Sequence, residues 1–293
     1  MKVSCGAQSL FEGSISMKVA KSRLGIIFII ALLAAQVACE KNSLSSSTPL
    51  DGNEKSFVIV GYSTSFAWPE MLQEMLDEHS DGQRKYHVLN AVVGGSPVET
   101  WIAHPDSQDY QKTFGVMLSD FFGDNPRLRG TAPPPTVALC QQSLQFTRTR
   151  RGPIARADDE EGIRIGADAM EKLAMRLREL GIIQVYYGMH IYKHPVEPEV
   201  GNERLALATL LKRGHDFIFE GPDVWEPTKH GYPEVFAEDG VHPNEEGMKI
   251  MAEGWYRTVA GDLANQEIID RMHAKDYDID KMIDRYRNWR RGS

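Results

Sequence analysis

Five short runs of mainly β-branched and aromatic residues recur along the chain, and the stretches between them carry helical signals. The runs are Ser56 to Gly61, Tyr86 to Val93, Thr136 to Cys140, Ile182 to Tyr187 and Asp216 to Phe219. Near-continuous apolar strands of this length are buried on both faces, unlike the alternating strands of a half-solvated sheet. Three prolines, Pro133 to Pro135, preclude a helix leading into the third run. After the first run, Trp68, Met71, Leu72, Met75 and Leu76 recur at helical spacing over Trp68 to Glu78. A strongly helical stretch, Asp158 to Leu180, precedes the fourth. The alternation predicts an α/β fold: a three-layer α/β/α sandwich around a mainly parallel sheet of about five strands.

In such sheets ligands bind beyond the carboxyl ends of the strands. The polar residues worth weighing fall there: Ser63 after the first run, Gly94-Gly95-Ser96 after the second, Gln141 and Gln142 after the third, His190 and His194 after the fourth. Taken singly, each has a plain structural reading. Serine is common in turns and helix caps, Gly-Gly makes a tight turn, and a loop glutamine often faces solvent. His190 and His194 are four apart, but Pro195 argues against a helix that would make them metal ligands. They read as rim or substrate-contact residues, and Arg148, Arg150, Arg151 and His230 read as solvated loop positions.

Asp239-Gly-Val-His242-Pro-Asn carries more chemistry. An acid three residues before a histidine can meet it on one turn, orient the imidazole and stabilise its charged form, as a general base requires. Pro243 and the helix-like run from Asn244 would pin that turn at a helix start. A base so held calls for a nucleophile, and Gly61-Tyr62-Ser63 offers one. Backbone amides at Ser63 and at Gly94-Gly95 would suit an oxyanion, with the Gln142 side chain as a further donor.

The N-terminus reads as a targeting segment. Lys18, Lys21 and Arg23 precede an apolar run from Leu24 to Ala35, then Gln-Val-Ala38-Cys39, the pattern of a secretory signal. The apolar run is shorter than the ~20 residues of a spanning helix. Met17 is an alternative start. Cysteine directly after the small residue resembles a bacterial lipoprotein signal with Cys39 as the lipidated residue; an ordinary secretory signal is the plainer alternative. Cleavage before Cys39 removes four of 33 basic and one of 41 acidic residues, leaving a formal charge of −11. That surface argues against nucleic acid and anionic membrane as partners, so the membrane would be met only through the lipid. Cys140 would be the one unmodified cysteine, and no internal disulfide could form.

Together, Gly61-Tyr62-Ser63 and Asp239-x-x-His242 resemble the nucleophile and acid–base blocks of the SGNH (GDSL-type) hydrolases, a family of esterases with a flavodoxin-like three-layer fold. Gly94-Gly95-Ser-Pro-Val-Glu-Thr-Trp101 is similar to the oxyanion-glycine segment of the carbohydrate acetylesterase branch, including sialate O-acetylesterase-like proteins. The resemblance covers residues 56 to 260. It implies Ser63, His242 and Asp239 as catalytic triad, an oxyanion and substrate rim of Gly95, Gln142, Gly94, Tyr62 and His190, and no metal or organic cofactor. Tyr62 stands where the family has aspartate. Cys140-Gln141-Gln142 keeps only glutamine from that branch's Gln-Gly-Glu.

The expected organisation is a signal at residues 1–39, a flexible tether at 40–55, the hydrolase-like domain at 56–263 and a helical amphipathic extension at 264–293. The expected protein is an exported bacterial serine esterase, periplasmic or displayed as a surface lipoprotein, acting on acyl, chiefly acetyl, esters of small molecules or glycans. The alternative is a weak or inactive surface lipoprotein of the same fold that binds glycans.

Overall fold

The structure, a computed structural model, describes residues 49–50, 53–96, 98–118, 132–141, 159–192 and 197–291, with backbone only for 197–202. The signal segment with Cys39, most of the tether, Gln142, the arginines 148–151 and His194 lie outside the described residues. No described helix is long and apolar enough to cross a membrane.

The elements in chain order are β1 (Lys55–Gly61), a 3-10 turn (Ser63–Ser65), α1 (Trp68–His79), β2 (Tyr86–Asn90), α2 (Val98–Trp101), α3 (Gln108–Tyr110) running into a π turn, and β3 (Val137–Gln141). They continue with α4 (Glu160–Glu179), β4 (Gln184–Tyr187), α5 (Glu197–Leu211), β5 (Ile218–Glu220), α6 (Trp225–His230), α7 (Glu245–Ala260), α8 (Gln266–Ala274) and α9 (Ile279–Arg291). All five strands pair in parallel in the order β2-β1-β3-β4-β5.

That order fixes the layers. The chain moves one way across the sheet from β1 to β2 and the other way from β3 through β5. Right-handed crossovers then send α1 to one face and α4 and α5 to the other. Consistent with this, α1 packs with α7 and α8, while α4 packs with α5. The sandwich closes on apolar side chains: Phe57 to Val60, Val137 to Cys140, Val185 and Tyr187 are fully buried, and Trp68 of α1 stacks on Trp255 of α7 at 5.8 Å.

Three strand ends differ from the expected bounds by two residues or more, two of them for a local reason. β2 stops at Asn90 because that side chain folds back, accepting from Val92 N and donating to Phe66 O. β4 starts late because Ile182 and Ile183 belong to the turn closing α4, where Gly181 takes a φ of 94°. β5 covers Ile218–Glu220 rather than starting at Asp216. Helix α5 had no counterpart in the sequence reading.

The reversal of strand order lies between β1 and β3. The connections leave the carboxyl ends of these two paired strands in opposite directions across the sheet, the usual ligand position in an open α/β sheet. Ser63 follows one of these strands and Gln141 ends the other.

Candidate active site

Gly61 ends β1, and the chain turns at once into Ser63–Ser65, with Ser65 N bonded to Tyr62 O. The Ser63 amide opens that turn, a position without an intrahelical acceptor. On the neighbouring strand the pairing runs past β2, since Ala91 N donates to Ile59 O and Val93 N to Gly61 O. Ser63 and the Gly94-Gly95 turn are thus each two residues or fewer beyond a bonded pair at the same sheet end. Gly95 holds a φ of 67° with open space where a Cβ would be. Its amide therefore sits in a conformation that favours glycine.

The other half of the site comes from the loop before α7. Asp239 Oδ1 accepts from the amides of Val241 and His242, both at 2.9 Å, and Gly240 supplies the positive φ of 63° that the tight turn needs. Asn244 caps α7 by accepting from Gly247 N, and its amide group donates to Glu234 O and Phe236 O. Pro243 bridges to Phe236. With both flanks fixed, His242 points in one direction. Its Nδ1 lies 2.5 Å from Asp239 Oδ2 and its Nε2 2.9 Å from Ser63 Oγ.

Assigning the ring proton to Nδ1, which the carboxylate requires, leaves Nε2 to accept the Ser63 hydroxyl hydrogen. Partial burial pushes the Asp239 carboxyl up, but bonds from the His242 ring and the amides of His242 and Val241 outweigh it and hold it at about 2. The carboxylate is therefore ionised at neutral pH. His242 and Asp239 side chains remain 43% and 50% exposed, so the pair is open to an incoming substrate.

The remaining expected site residues are placed differently from one another. Tyr62 and His190 are each 3% exposed, with rings stacked at 5.5 Å. His190 N donates to Glu203 Oε2 and its Nδ1 bonds Ile191 O. These two rings are packed inside the domain, not displayed at a rim. Gln141 is buried too: its Oε1 accepts from Trp255 Nε1 at 2.7 Å and its amide donates to Met189 O. Both ends are engaged inside the core, and at 1% exposure the side chain is closed to a ligand. Gln142, next along, lies outside the described residues. Gly94 is exposed, and a Cβ there would meet Phe66 Cζ at 3.1 Å.

Two side chains beside this turn escaped the sequence reading. Phe66 packs against Gly94, and the Tyr286 hydroxyl of α9 donates to Val92 O. Nothing in spacing could reveal Tyr286, because it is almost two hundred residues away along the chain. Among the described residues no group of three His, Cys, Asp or Glu could hold a metal ion.

No family model and no curated protein matches the sequence. Solved structures to which the chain is similar include BT4096, a gut microbial diltiazem-metabolizing enzyme, at 12% identity and TM-score 0.46. That match covers 71% of this chain and 47% of the other, so the chain spans about half of that relative. An acetyl esterase variant with acetate ion (10% identity, TM-score 0.47) is covered over 99% of its length by 75% of this chain. A family 3 carbohydrate esterase from Talaromyces cellulolyticus (10% identity, TM-score 0.47) is covered over 100% of its length by 76% of this chain. At such identities the chemistry has to be carried by the residues themselves.

Proposed function

We propose that the protein is a serine esterase of the SGNH type that removes acyl groups, chiefly acetyl, from carbohydrate. The single observation that carries this reading is the continuous relay Ser63–His242–Asp239, with bonds of 2.9 and 2.5 Å joining two separate segments of the chain. A capped, carboxylate-oriented imidazole in contact with a serine hydroxyl is the arrangement nucleophilic acyl transfer needs.

In this mechanism Ser63 Oγ attacks the ester carbonyl while His242 Nε2 takes its proton, and Asp239 stabilises the imidazolium. The amides of Ser63 and Gly95, with the Gln142 side chain, hold the oxyanion. The tetrahedral intermediate collapses with cleavage of the bond to the sugar oxygen, His242 gives its proton to that oxygen so that it leaves as a hydroxyl, and an acyl-Ser63 remains. Water then attacks with His242 again as base, releasing the carboxylic acid and restoring the serine. Export, with lipid attachment at Cys39, belongs to the same proposal and rests on the N-terminal sequence pattern.

The test is hydrolysis of p-nitrophenyl acetate by the full chain beside Ser63→Ala and His242→Ala, with a fluorophosphonate probe to label the nucleophile. Esterase chemistry requires label on Ser63 and loss of turnover in both variants. Background hydrolysis in all three, with no label, would sink the reading.

A further inference from the structure

A cavity of about 430 Å³ lies along the free edge of β2, walled by α1, β2 and α9. β2 is the outermost strand, and Gln73 of α1 already satisfies part of its edge, taking Val88 N and donating to Tyr86 O. The cavity opens above that edge, with Phe66, Tyr286 and Trp289 as aromatic walls and Glu70, Arg84 and Arg285 as charged ones.

Helix α9 packs on the core through Ile279, Met282, Ile283 and Tyr286, and Tyr286 in turn sits against Phe66 at 5.4 Å and Trp289 at 6.0 Å. Its one fully buried residue is Met282, and the same face continues through Tyr286 and Trp289, four and seven residues on. Those two large rings are only half-buried and both line the cavity.

Two of the cavity walls also touch the segment that leads into the Gly94-Gly95 turn. Phe66 is three residues past Ser63 and is the neighbour of Gly94, while the Tyr286 hydroxyl is bonded to Val92 O. Arg285 pairs with Glu70 at 2.6 Å. Guanidinium donors and a carboxylate acceptor on one rim suit hydroxyl groups, which both donate and accept, better than they suit a single charge. Aromatic faces carry negative π density and attract the C–H faces of a sugar ring, and this volume is at the lower end of small-ligand sites.

We propose that this cavity is the subsite for a neutral pyranose ring of the substrate, laid against Trp289 and Tyr286 with its hydroxyls toward Arg84 and Glu70. It rests on the esterase reading for its link to Ser63, but not for the binding itself.

The experiment compares p-nitrophenyl acetate, which has no sugar, with mono-O-acetylated methyl glycosides of glucose, galactose, mannose and xylose. Trp289→Ala and Arg84→Ala are expected to raise KM for at least one glycoside about tenfold or more while leaving p-nitrophenyl acetate turnover within about twofold. Trp289→Phe should recover most of the loss, which a merely loosened helix would not. Equal losses on both ester types, or unchanged KM in both variants, would overturn the subsite while leaving the esterase standing. So would a preference for acetylated methyl glucuronoside over every neutral glycoside. Should the wild type hydrolyse no ester, the esterase reading fails. Calorimetric titration with the unacetylated methyl glycosides then decides the subsite: binding lost in Trp289→Ala supports it, and no binding refutes it.

Discussion

Tyr62 and His190 stack with ring planes 9° from parallel and centroids 5.5 Å apart, immediately before the serine that contacts His242. The pair ties the end of β1 to the loop after β4. Tyr62 is 3% exposed, so it acts as a packing residue that helps to fix the turn.

Tyr62→Ala should lose about 3 kcal/mol of stability, since it empties a buried aromatic site. Tyr62→Phe keeps the stack and should lose much less, whereas Tyr62→Asp puts an ionisable group into a closed site and should be at least as harmful as alanine. Urea unfolding midpoints at constant m-value give the ranking. An aspartate variant as stable as wild type would show that the site is open to water.

Asp239→Asn should lower kcat by about 10³–10⁴-fold, because an amide no longer stabilises the imidazolium or enforces its tautomer. The native carboxyl is held at about 2, below the ~3.9 of an unfolded chain. Its contribution to stability is thus present above pH ~4 and lost as pH falls through about 2. The effect is small for a half-exposed pair. Acid titration of stability followed by circular dichroism should be flatter in the asparagine variant over that window. Loss of activity well above pH 4 must come from a group other than Asp239.

The sheet was legible because its strands are buried on both faces and therefore read as apolar runs, and the Asp239–His242 turn was legible because all its parts are local. Strand ends were less so: β2 ends at a side-chain bond to Phe66 O that sequence spacing does not encode. The interior roles of His190 and Gln141 were also hidden. Both follow apolar strands, where a rim residue and a core residue have the same neighbours in sequence. Only the partners, Tyr62 for one and Trp255 for the other, distinguish them. Ser63 itself carried a weak signal, and its pairing with His242 spans 179 residues.

Glu99 supplies a pH test independent of the relay. Burial raises its carboxyl from 4.5 to about 7, with its own backbone amide opposing, and its Oε2 is enclosed with no hydrogen-bond partner among the described residues. The folded state holds this proton more tightly than the unfolded one, so stability falls as pH rises from ~4.5 through 7. Glu99→Gln should remove that slope and stabilise the protein at pH 8 by on the order of 2 kcal/mol. Melting temperatures at pH 5 and 8 are the measurement. A glutamine variant with the wild-type pH slope would reject the assignment.

The two adjacent glutamines should separate cleanly. Gln141→Leu deletes the acceptor of Trp255 Nε1 and the donor to Met189 O, leaving two buried groups unsatisfied at about 1–3 kcal/mol each. Its effect should appear in unfolding, while kcat on p-nitrophenyl acetate at a permissive temperature stays within a few-fold. Gln142→Ala should do the reverse. If its amide is the oxyanion donor, kcat falls by about 10²–10³-fold with KM and stability little changed. Losing one preorganised donor weakens binding of the transition state, not of the ground-state ester. The contrast is read by measuring both variants by urea unfolding and by full Michaelis curves. A Gln142→Ala enzyme with wild-type kcat would take the oxyanion role from that residue and leave it to the amides of Ser63 and Gly95.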